Sequence, residues 1–364
     1  MHMLFACLNL SYQTFLYLTG NYAFSDINAP QDVYMNSVVI KTDFGELAES
    51  LKKLNTEGRK LCIVADENVA DLYYGTVKKL LLPLTDQITR YEFKPGEKSK
   101  NLNTVTDIIS FLSWKDFTRE DYILSLGGGT VSDIAGLTAS LYLRGIGLVN
   151  IPTTLLAQVD ASIGGKNGVD FAGQKNVIGT FYRPELVYIN TSVLDTLPDI
   201  ERSNGMAELI KTSIISKGTF HSEISECAAY KNRIVSQDFK DEGLRHILNF
   251  GHTCGHAIEA YSGFALSHGA CVGLGMICSF IISQNRGWIA PADTAALYNA
   301  LNQAGLPVTC SIDNTGSILE LIHKDKKSRD GHTQFVLLRG LGNPVITDDV
   351  SDDEIITALE KINE

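Results

Sequence analysis

Three of the eight histidines in this chain of 364 residues fall within the stretch NFGHTCGHAIEAYSGFALSHGA, residues 249–270. His252 and His256 are four residues apart, and His268 follows twelve residues later. Imidazole nitrogens bind divalent metals and transfer protons near neutral pH. Two interpretations compete: the histidines belong to a solvated polar face, or they line a site that binds a metal or moves protons.

The residues before these histidines extend the polar pattern. Residues three or four apart share one face of a helix, so the spacing predicts a single stripe along a helix over 239–261; its members are Asp241, Arg245, Asn249, His252 and His256. The segment NGMAELIK repeats the spacing with Asn204, Glu208 and Lys211. A buried glutamate is costly without a partner, and a divalent metal held by Glu208 and two of the histidines would satisfy both stripes.

This ligand chemistry is typical of a catalytic zinc site, in which nitrogen and carboxylate ligands leave one position open. Zinc would then act as a Lewis acid on a substrate oxygen. The run HTCGH is not the HExxH motif, because its second position lacks glutamate.

A second chemical signal is the run YILSLGGGTVSDIAG, which predicts a strand, a glycine turn and a helix. Residues 127–129 are glycines, so the backbone could approach a phosphate at a helix N-terminus. The run does not match the GxGxxG dinucleotide fingerprint. A tight turn without a ligand therefore stays open as the alternative.

Basic residues provide a third signal in an otherwise acidic chain. Lys166 and Lys175 lie in SIGGKNGVDFAGQKN, a segment that shows little helical or strand character. Other candidates for a cationic pocket are Arg144, Lys211, Lys231, Arg245 and Lys326. Each alone is typical of a solvated surface charge, but together they indicate a small substrate with more than one anionic group.

The elements that must position these residues change type along the chain. Five predicted strands alternate with helices, at 60–65, 88–93, 122–126, 147–152 and 186–190. Such alternation predicts a mostly parallel sheet. Helical spacing then dominates at 200–217, 220–236, 239–261, 268–286, 292–304 and 315–325, with one strand at 334–338.

We therefore expect three regions along the chain. Residues 1–33 form an extension outside the fold, residues 34–198 an α/β Rossmann-like domain, and residues 199–364 an all-α domain. A ligand cleft is expected between the two domains, because domain interfaces favour such sites.

Composition limits the compartment and the partners. The net charge of −11 argues against nucleic acid and anionic membranes as partners, because both attract basic surfaces. No segment approaches the roughly 18 apolar residues of a membrane span. Seven cysteines without paired spacing argue against a disulfide framework and favour a reducing cytoplasm.

Several motifs in a fixed order resemble one known family. These runs are GGGTVSDIAGLTASLYLRG, IPTTLLAQVDASIGGKNGVDFAGQKNVIGTFYRP, NGMAELIKTSII and GLRHILNFGHTCGHAIE, followed by HG and by DKK with FVLL. Over residues 60–340 they resemble the 3-dehydroquinate synthases, and residues 1–33 lie outside the resemblance. It implies conversion of 3-deoxy-D-arabino-heptulosonate 7-phosphate to 3-dehydroquinate, the second step of the shikimate pathway, with NAD regenerated in each turnover.

The resemblance also implies roles for individual residues. It implies a zinc ion, or alternatively cobalt, held by Glu208, His252 and His268. It implies catalytic roles for His256, Asp241, Lys166 and Asn249. The substrate-contacting positions that it implies are Arg144 from across a homodimer interface, Asp160, Lys166, Asn176, Lys211, Lys231, Arg245, Asn249 and Lys326. The implied NAD positions are Asp66, Asn68, Glu97, Lys100, Gly128, Gly129, Asp133, Thr153, Thr154, Lys175 and Asn204.

Two positions depart from the family pattern. Asp241 stands where the family usually has glutamate, and Ala270 replaces the glutamate of the usual HGEAV. Three alternatives stay open: another sugar-phosphate cyclase, a metal-dependent NAD alcohol dehydrogenase, and a regulatory protein that binds NAD and metal without turnover. The retained Lys231, Arg245 and Lys326 favour the dehydroquinate reaction over the first of these.

Overall fold

Short apolar runs form a six-stranded parallel sheet in the first half of the chain. The computed structural model describes residues 37–326 and 333–364, so the predicted extension over 1–33 lies outside the described residues. The strands are β1 (Ser37–Lys41), β2 (Leu61–Asp66), β3 (Ile88–Phe93), β4 (Tyr122–Gly127), β5 (Gly147–Pro152) and β8 (Leu186–Asn190). Their order across the sheet is β1-β8-β5-β4-β2-β3, and every neighbouring pair is parallel.

The four central strands of the sheet, β2, β4, β5 and β8, are buried on both faces because apolar residues occupy most of their successive positions. Alternate side chains of a strand point to opposite faces. Accordingly, Leu61 and Ile63 belong to one apolar cluster, whereas Cys62 and Val64 belong to the other. This arrangement is typical of parallel sheets covered by helices. The predicted strands are confirmed, and three of them match at both ends: β3, β5 and β8.

Helices between these strands cover the sheet. They are α1 (Leu47–Lys52), α2 (Glu67–Val69), α3 (Gly75–Leu81), α4 (Leu102–Trp114) and α5 (Gly129–Leu141). From β2 the chain continues to β3 on one side and later to β4 on the other side. A crevice forms at the carboxyl ends of strands where the order reverses in this way.

The second half is mainly helical, as the spacing predicted. Its helices are α6 (Asp199–Lys217), α7 (Ile224–Gln237), α8 (His252–Tyr261), α9 (His268–Asn285), α10 (Pro291–Gln303), α11 (Thr315–Lys326) and α12 (Asp352–Ile362). Two strands, β9 (Phe335–Leu338) and β10 (Pro344–Thr347), form an antiparallel pair within this half. Across the described residues, no helix is both long enough and apolar enough to span a membrane.

Two predicted elements are wrong. The expected helix over 239–261 is instead a loop, a 3₁₀ turn at Leu244–Asn249 and the separate helix α8. The segment around Lys166 and Lys175 is not irregular, because β6 (Lys166–Phe171) and β7 (Gln174–Phe181) form an antiparallel hairpin.

Candidate functional site

Three side chains from different helices converge on one point. Glu208 lies inside α6, whereas His252 and His268 are the first residues of α8 and α9. Glu208 Oε1 lies 3.4 Å from His252 Nε2 and 3.3 Å from His268 Nε2. Two ligands of a tetrahedral zinc ion, each ~2.0–2.1 Å from the metal, are separated by roughly 3.3 Å. The spacing of the three side chains therefore fits a divalent metal.

Hydrogen bonding fixes how His252 is oriented. Its Nδ1 lies 3.1 Å from the carbonyl oxygen of Phe250, which can only accept, so Nδ1 carries the proton. The Nε2 lone pair then faces a carboxylate oxygen, and two acceptors at 3.4 Å repel each other unless a cation lies between them. A carbonyl that fixes the tautomer of a histidine is a usual feature of metal sites.

Charge and burial favour the ligand forms of Glu208 and His252, whereas the pKa of His268, which burial lowers, is raised overall by the Glu208 carboxylate. Burial alone would raise the pKa of Glu208, but the Lys211 ammonium and the two imidazoles hold that pKa well below its usual range. Burial and the Lys211 charge hold the pKa of His252 well below its usual value. The site therefore combines an ionised carboxylate with a neutral imidazole, which are the forms that bind metal.

The spacing of Asn204, Glu208 and Lys211 correctly predicted one shared helix. Lys211 Nζ lies 2.5 Å from Glu208 Oε2 and donates to the carbonyl oxygen of Leu248 at 2.6 Å. The Asn204 side chain instead accepts a hydrogen bond from the backbone of Gly269, at the start of α9. This stripe therefore ties α6 to the beginning of the helix that carries His268.

The longer stripe from Asp241 to His256 does not lie on one helix. Gly251 has φ of +77°, a left-handed conformation that interrupts the chain before α8. A Cβ atom at Gly251 would also lie 2.7 Å from Met276 Cγ, so the neighbouring helix α9 leaves no room for a side chain. Asp241 lies in the loop before the 3₁₀ turn, and Arg245 and Asn249 lie in that turn. The expected continuous helix is therefore broken at Gly251, where α9 packs closely against the backbone.

His256 lies beside the three-ligand cluster and outside it. Its ring centroid is 5.1 Å from that of His252 and 6.2 Å from that of His268, and the side chain is exposed. A second group of possible metal ligands contains His256, Glu259 and His268. The sequence interpretation missed Glu259, although its spacing of three residues from His256 in GHAIE was available as a signal.

Buried cations collect next to the metal cluster. Lys231 Nζ donates to the backbone oxygen and to Oδ1 of Asp160, both at 2.6 Å. A Cβ atom at Gly164 would lie 3.4 Å from Lys231 Nζ and against the Arg245 guanidinium, so both cations meet this glycine. Burial lowers the pKa of Lys231 and the pKa of Arg245. The charge of Asp160 partly opposes the first shift, and the charges of Asp241 and Asp160 partly oppose the second. Desolvated cations are prepared to bind an anion.

The β6–β7 hairpin contributes basic residues from the sheet half. The ammonium of Lys166 forms a short ion pair with Asp241. Lys175 Nζ lies 2.8 Å from Glu259 Oε1, and so connects the hairpin to α8. Asn176 is exposed at φ of +53°, and its backbone N–H donates to Asp170. Of these residues, Lys166 is brought to the cationic region through its partner Asp241.

Two predicted substrate residues lie at the margins of the described structure. Arg144 is exposed in a turn after α5, with φ of +68°. Lys326 is the last residue of α11, and its side chain lies outside the described residues.

The predicted NAD residues gather mostly at the carboxyl edge of the sheet. Asp66 ends β2 and caps the following turn by accepting the N–H of Val69, and Asn68 lies in that turn. Gly128 and Gly129 join β4 to α5, and a Cβ atom at Gly128 would lie 3.0 Å from Thr154 Cγ2. Thr153 follows β5 directly, and the Thr153 hydroxyl has no hydrogen-bond partner within the described residues. This buried hydroxyl beside the glycine turn is therefore available to hydrogen-bond a ligand.

A charged pair borders the same edge. Lys100 Nζ lies 2.6 Å from Asp133 Oδ2 and 3.9 Å from Glu97 Oε1. Burial raises the pKa of Asp133 to about 6, although Lys100 opposes that shift. Glu97 also accepts a hydrogen bond from Thr130 at 3.0 Å. The structure therefore brings Glu97, Lys100 and Asp133 together, whereas Lys175 and Asn204 contact the helical half instead.

Comparison with known proteins agrees with this geometry. The 3-dehydroquinate synthase N-terminal model matches residues 90–204, and the C-terminal model matches residues 216–328. A 3-dehydroquinate synthase of Ruminiclostridium cellulolyticum is 38% identical over 338 residues, which cover 88% of this chain and 94% of the relative.

Solved structures of related cyclases share the fold. A 2-epi-5-epi-valiolone synthase from Streptomyces hygroscopicus subsp. jinggangensis, with NAD⁺ and Zn²⁺ bound, is 27% identical at a TM-score of 0.79, covering 92% of this chain and 98% of that one. A 2-deoxy-scyllo-inosose synthase complexed with carbaglucose-6-phosphate, NAD⁺ and Co²⁺ is 25% identical at a TM-score of 0.79, with coverage of 90% and 99%. Together with the matched models and the close relative, these findings show that the chain belongs to the 3-dehydroquinate synthase family.

Proposed function

We propose that this protein converts 3-deoxy-D-arabino-heptulosonate 7-phosphate to 3-dehydroquinate and phosphate. The observation that carries the proposal is the cluster of Glu208, His252 and His268 directly beside the buried cations Lys211 and Lys231. Family membership supports the reaction, and the 38% identity to the Ruminiclostridium cellulolyticum relative supports the same substrate. A sugar phosphate that also carries a carboxylate matches a site with several cations.

The two anionic ends of the substrate require separate partners. Lys231 and Arg245 are buried and adjacent, and Arg245 can present a planar fork to a carboxylate. Lys231 uses two of its three donor directions on Asp160, so one direction is left for a substrate oxygen. We assign Asp160, Lys211, Lys231, Arg245 and Asn249 to substrate binding, together with Arg144, Asn176 and Lys326.

We infer that the chain binds one divalent metal through Glu208, His252 and His268, and NAD at the carboxyl edge of the sheet. Solved relatives with NAD⁺ and Zn²⁺ or Co²⁺ support this inference. When bound, the metal supplies a Lewis acid and NAD⁺ supplies a reversible hydride acceptor. Lys211 keeps Glu208 ionised, and the carbonyl of Phe250 keeps the Nε2 of His252 available.

Proton transfer falls to residues next to this cluster. His256 is exposed beside the two ligand imidazoles, where it can exchange a proton with the substrate and with water. Lys166 holds an ammonium against Asp241, whose Oδ1 is buried and has no hydrogen-bond partner within the described residues. We assign proton-handling roles to His256 and to the Lys166–Asp241 pair, with Asn249 orienting the substrate.

We further infer a homodimer in the cytoplasm, with the chain divided near residue 198 into an NAD-binding and a helical domain. The change from parallel sheet to helices and the separate family models over 90–204 and 216–328 support the division. Arg144 is exposed in a turn, as a residue that reaches a second subunit must be. The six cysteines within the described residues are free, which supports a reducing compartment.

The decisive experiment measures phosphate release from 3-deoxy-D-arabino-heptulosonate 7-phosphate by protein supplied with zinc and NAD⁺. We expect release that stops after chelation, returns with added zinc, and produces no net NADH absorbance. Release from a different sugar phosphate alone would indicate another cyclase. Steady accumulation of NADH would indicate an alcohol dehydrogenase, and bound zinc and NAD without any turnover would indicate a regulatory protein.

A further inference from the structure

The carboxylate of Asp241 is held in a demanding position. It lies after α7, in a segment that runs into the first residues of the 3₁₀ turn and that we call the 238–246 loop. The Asp241 side chain is only 7% exposed, and its φ of +60° is unusual for a residue other than glycine. Aspartate also carries its carboxylate on a single methylene group, so the reach of the side chain from the backbone is short. Its contact with Lys166 therefore depends on how the loop is held against the hairpin.

Asp238 shapes the loop from within. Its Oδ1 accepts the N–H of Glu242 at 2.9 Å, and its Oδ2 accepts the N–H of Gly243 at 2.8 Å and that of Arg245 at 3.0 Å. Three backbone donors hold the pKa of the Asp238 carboxyl below its usual range, although burial opposes the shift. These hydrogen bonds fix the backbone of the loop, so the loop packs against the hairpin as one rigid segment.

Phe239 docks this unit against the hairpin. Its ring meets Phe181, the last residue of β7, edge-on at a centroid distance of 5.8 Å, and the Arg183 guanidinium lies 4.5 Å above it. A Cβ atom at Gly165 would lie 2.8 Å from Phe239 Cε2, so the ring packs onto bare backbone next to Lys166. The Phe239 carbonyl accepts Arg245 Nη1 at 2.8 Å. One residue thus joins the hairpin, the loop and a buried cation.

His246 holds the loop from its other side. Its Nε2 lies 2.8 Å from the backbone oxygen of Asp241, which can only accept, so Nε2 is the donor. Its Nδ1 lies 2.9 Å from the side-chain oxygen Oε1 of Gln334, and the backbone oxygen of Gln334 accepts the hydroxyl of Thr253 at 3.0 Å. His246 therefore connects Asp241 to the residue that follows the ligand His252.

We propose that Phe239 and His246 are positioning residues: they dock the 238–246 loop so that the short Asp241 side chain reaches Lys166. The inference rests on the proposed function of the Lys166–Asp241 pair. Neither Phe239 nor His246 belongs to the metal cluster or to the buried cations. Phe239 also accepts Arg245 Nη1 through its backbone carbonyl, which every Phe239 variant retains, so the coupling measurement tests whether the effect of the ring passes through Asp241.

The experiment compares two pairs of variants in the zinc- and NAD-loaded enzyme. Phe239→Ala removes the docking ring, and Phe239→Leu keeps apolar volume. His246→Ala removes the donor, and His246→Gln keeps an N–H that can reach the same carbonyl. We expect the alanine variants to lower kcat for phosphate release by roughly 10-fold, because small displacements of catalytic groups have large costs. We expect the conservative variants to recover most of that loss.

The same changes are then combined with Asp241→Ala. If the residues act through Asp241, the double variants lose no more than Asp241→Ala alone, within about two-fold. Zinc content and NAD affinity should stay within about two-fold of the wild type in every single variant. Equal losses with and without the Asp241 carboxylate, or an unchanged kcat in both alanine variants, would overturn the proposal. A wild-type enzyme that releases no phosphate would instead reject the proposed function. If an alanine variant does not fold, Phe239→Leu or His246→Gln takes its place and is combined with Asp241→Ala in the same way.

Discussion

The two halves of the molecule assemble their parts of the site in different ways. In the sheet half, candidate residues such as Asp66, Gly128 and Thr153 end a strand or directly follow one, because parallel strands bring their carboxyl ends to one edge. In the helical half, His252 and His268 are the first residues of their helices, and Glu208 lies within a third. Topology thus places the first set, whereas close helix packing places the second.

The largest effect is expected from Glu208→Ala, which removes the carboxylate that both histidines face. We expect kcat/KM for phosphate release to fall by on the order of 10³-fold or more, because both the Lewis acid and its charge balance are lost. Bound zinc should fall in parallel, measured by elemental analysis. Binding of NAD⁺ should persist, since all of its proposed residues except Asn204 belong to the other half.

The matched control is Glu226→Ala, which removes an exposed carboxylate of α7 that pairs with Lys217. It should retain its zinc and its activity. Loss of NAD⁺ binding in Glu208→Ala would show that the two halves do not assemble independently.

The packing of α8 on α9 is tested by Gly251→Ala. The change forces a side chain into a left-handed residue and against Met276 Cγ, at 2.7 Å, so we expect unfolding to become easier by about 3 kcal/mol. Zinc affinity should also fall, because Gly251 directly precedes His252. Urea denaturation and zinc titration measure the two effects.

Gly263→Ala separates strain from steric overlap. Gly263 also has positive φ, +61°, but a Cβ atom there meets nothing within 4 Å. Its expected cost is about 1 kcal/mol, from backbone strain alone. Equal costs for the two variants would mean that the approach of α9 does not determine the break at Gly251.

The sheet edge is tested by Gly128→Ala. Its added methyl group would lie 3.0 Å from Thr154 Cγ2, at the turn where we propose that the phosphates of NAD⁺ approach the backbone. We expect the KM for NAD⁺ to rise by roughly 10-fold with little change in zinc content. Gly75→Ala is the control, because a Cβ atom there meets nothing within 4 Å. If Gly128→Ala instead raised the zinc concentration needed for activity, Gly128 would act on metal binding and the prediction would be wrong.

The smallest effect concerns the far end of α9. Arg286 follows that helix and pairs with Glu354 at 2.6 Å, and the hydrogen bonds from Arg286 lower the pKa of Glu354 to about 2. This stabilisation is present above the carboxyl pKa of the unfolded chain, roughly 4.3. It is lost as pH falls through that value toward about 2.

Arg286→Ala should therefore lower the free energy of unfolding by about 0.5–1 kcal/mol at neutral pH, a small amount because the pair is partly exposed. The loss should shrink as the pH approaches 2, because Glu354 becomes protonated. Denaturation at several pH values measures the difference. Zinc affinity should not change, since His268 lies at the opposite end of the helix. A cost that is independent of pH would assign the contribution of Arg286 to packing alone.

The same comparison explains what the sequence could predict. Strands such as β5 and β8 are nearly continuous apolar runs between polar loops, so their limits are visible in the sequence. The prediction that Asp241 to His256 lie on one helix was wrong. Their spacing of three and four residues also fits a loop, a 3₁₀ turn and a helix in succession. Only the approach of Met276 to Gly251 decides between these possibilities.

The hairpin around Lys166 was missed for a related reason. Its residues include several glycines and exposed polar side chains, which give no alternating pattern. Its strands are instead determined by pairing with each other, from Lys166 opposite Phe181 to Phe171 opposite Gln174. The metal ligands were narrowed to Glu208 and two histidines by residue type, but the choice between His256 and His268 required their three-dimensional arrangement or the family pattern.

The positions of the three proposed metal ligands along the chain have a consequence for folding. Glu208 and His252 are separated by 44 residues, and His252 and His268 by 16. An ion bound to all three closes both intervals as a reversible cross-link, which only the native chain can form at full strength. Zinc should therefore link α6, α8 and α9 reversibly. Chelation should then lower the melting temperature and make residues 209–267 more sensitive to proteolysis.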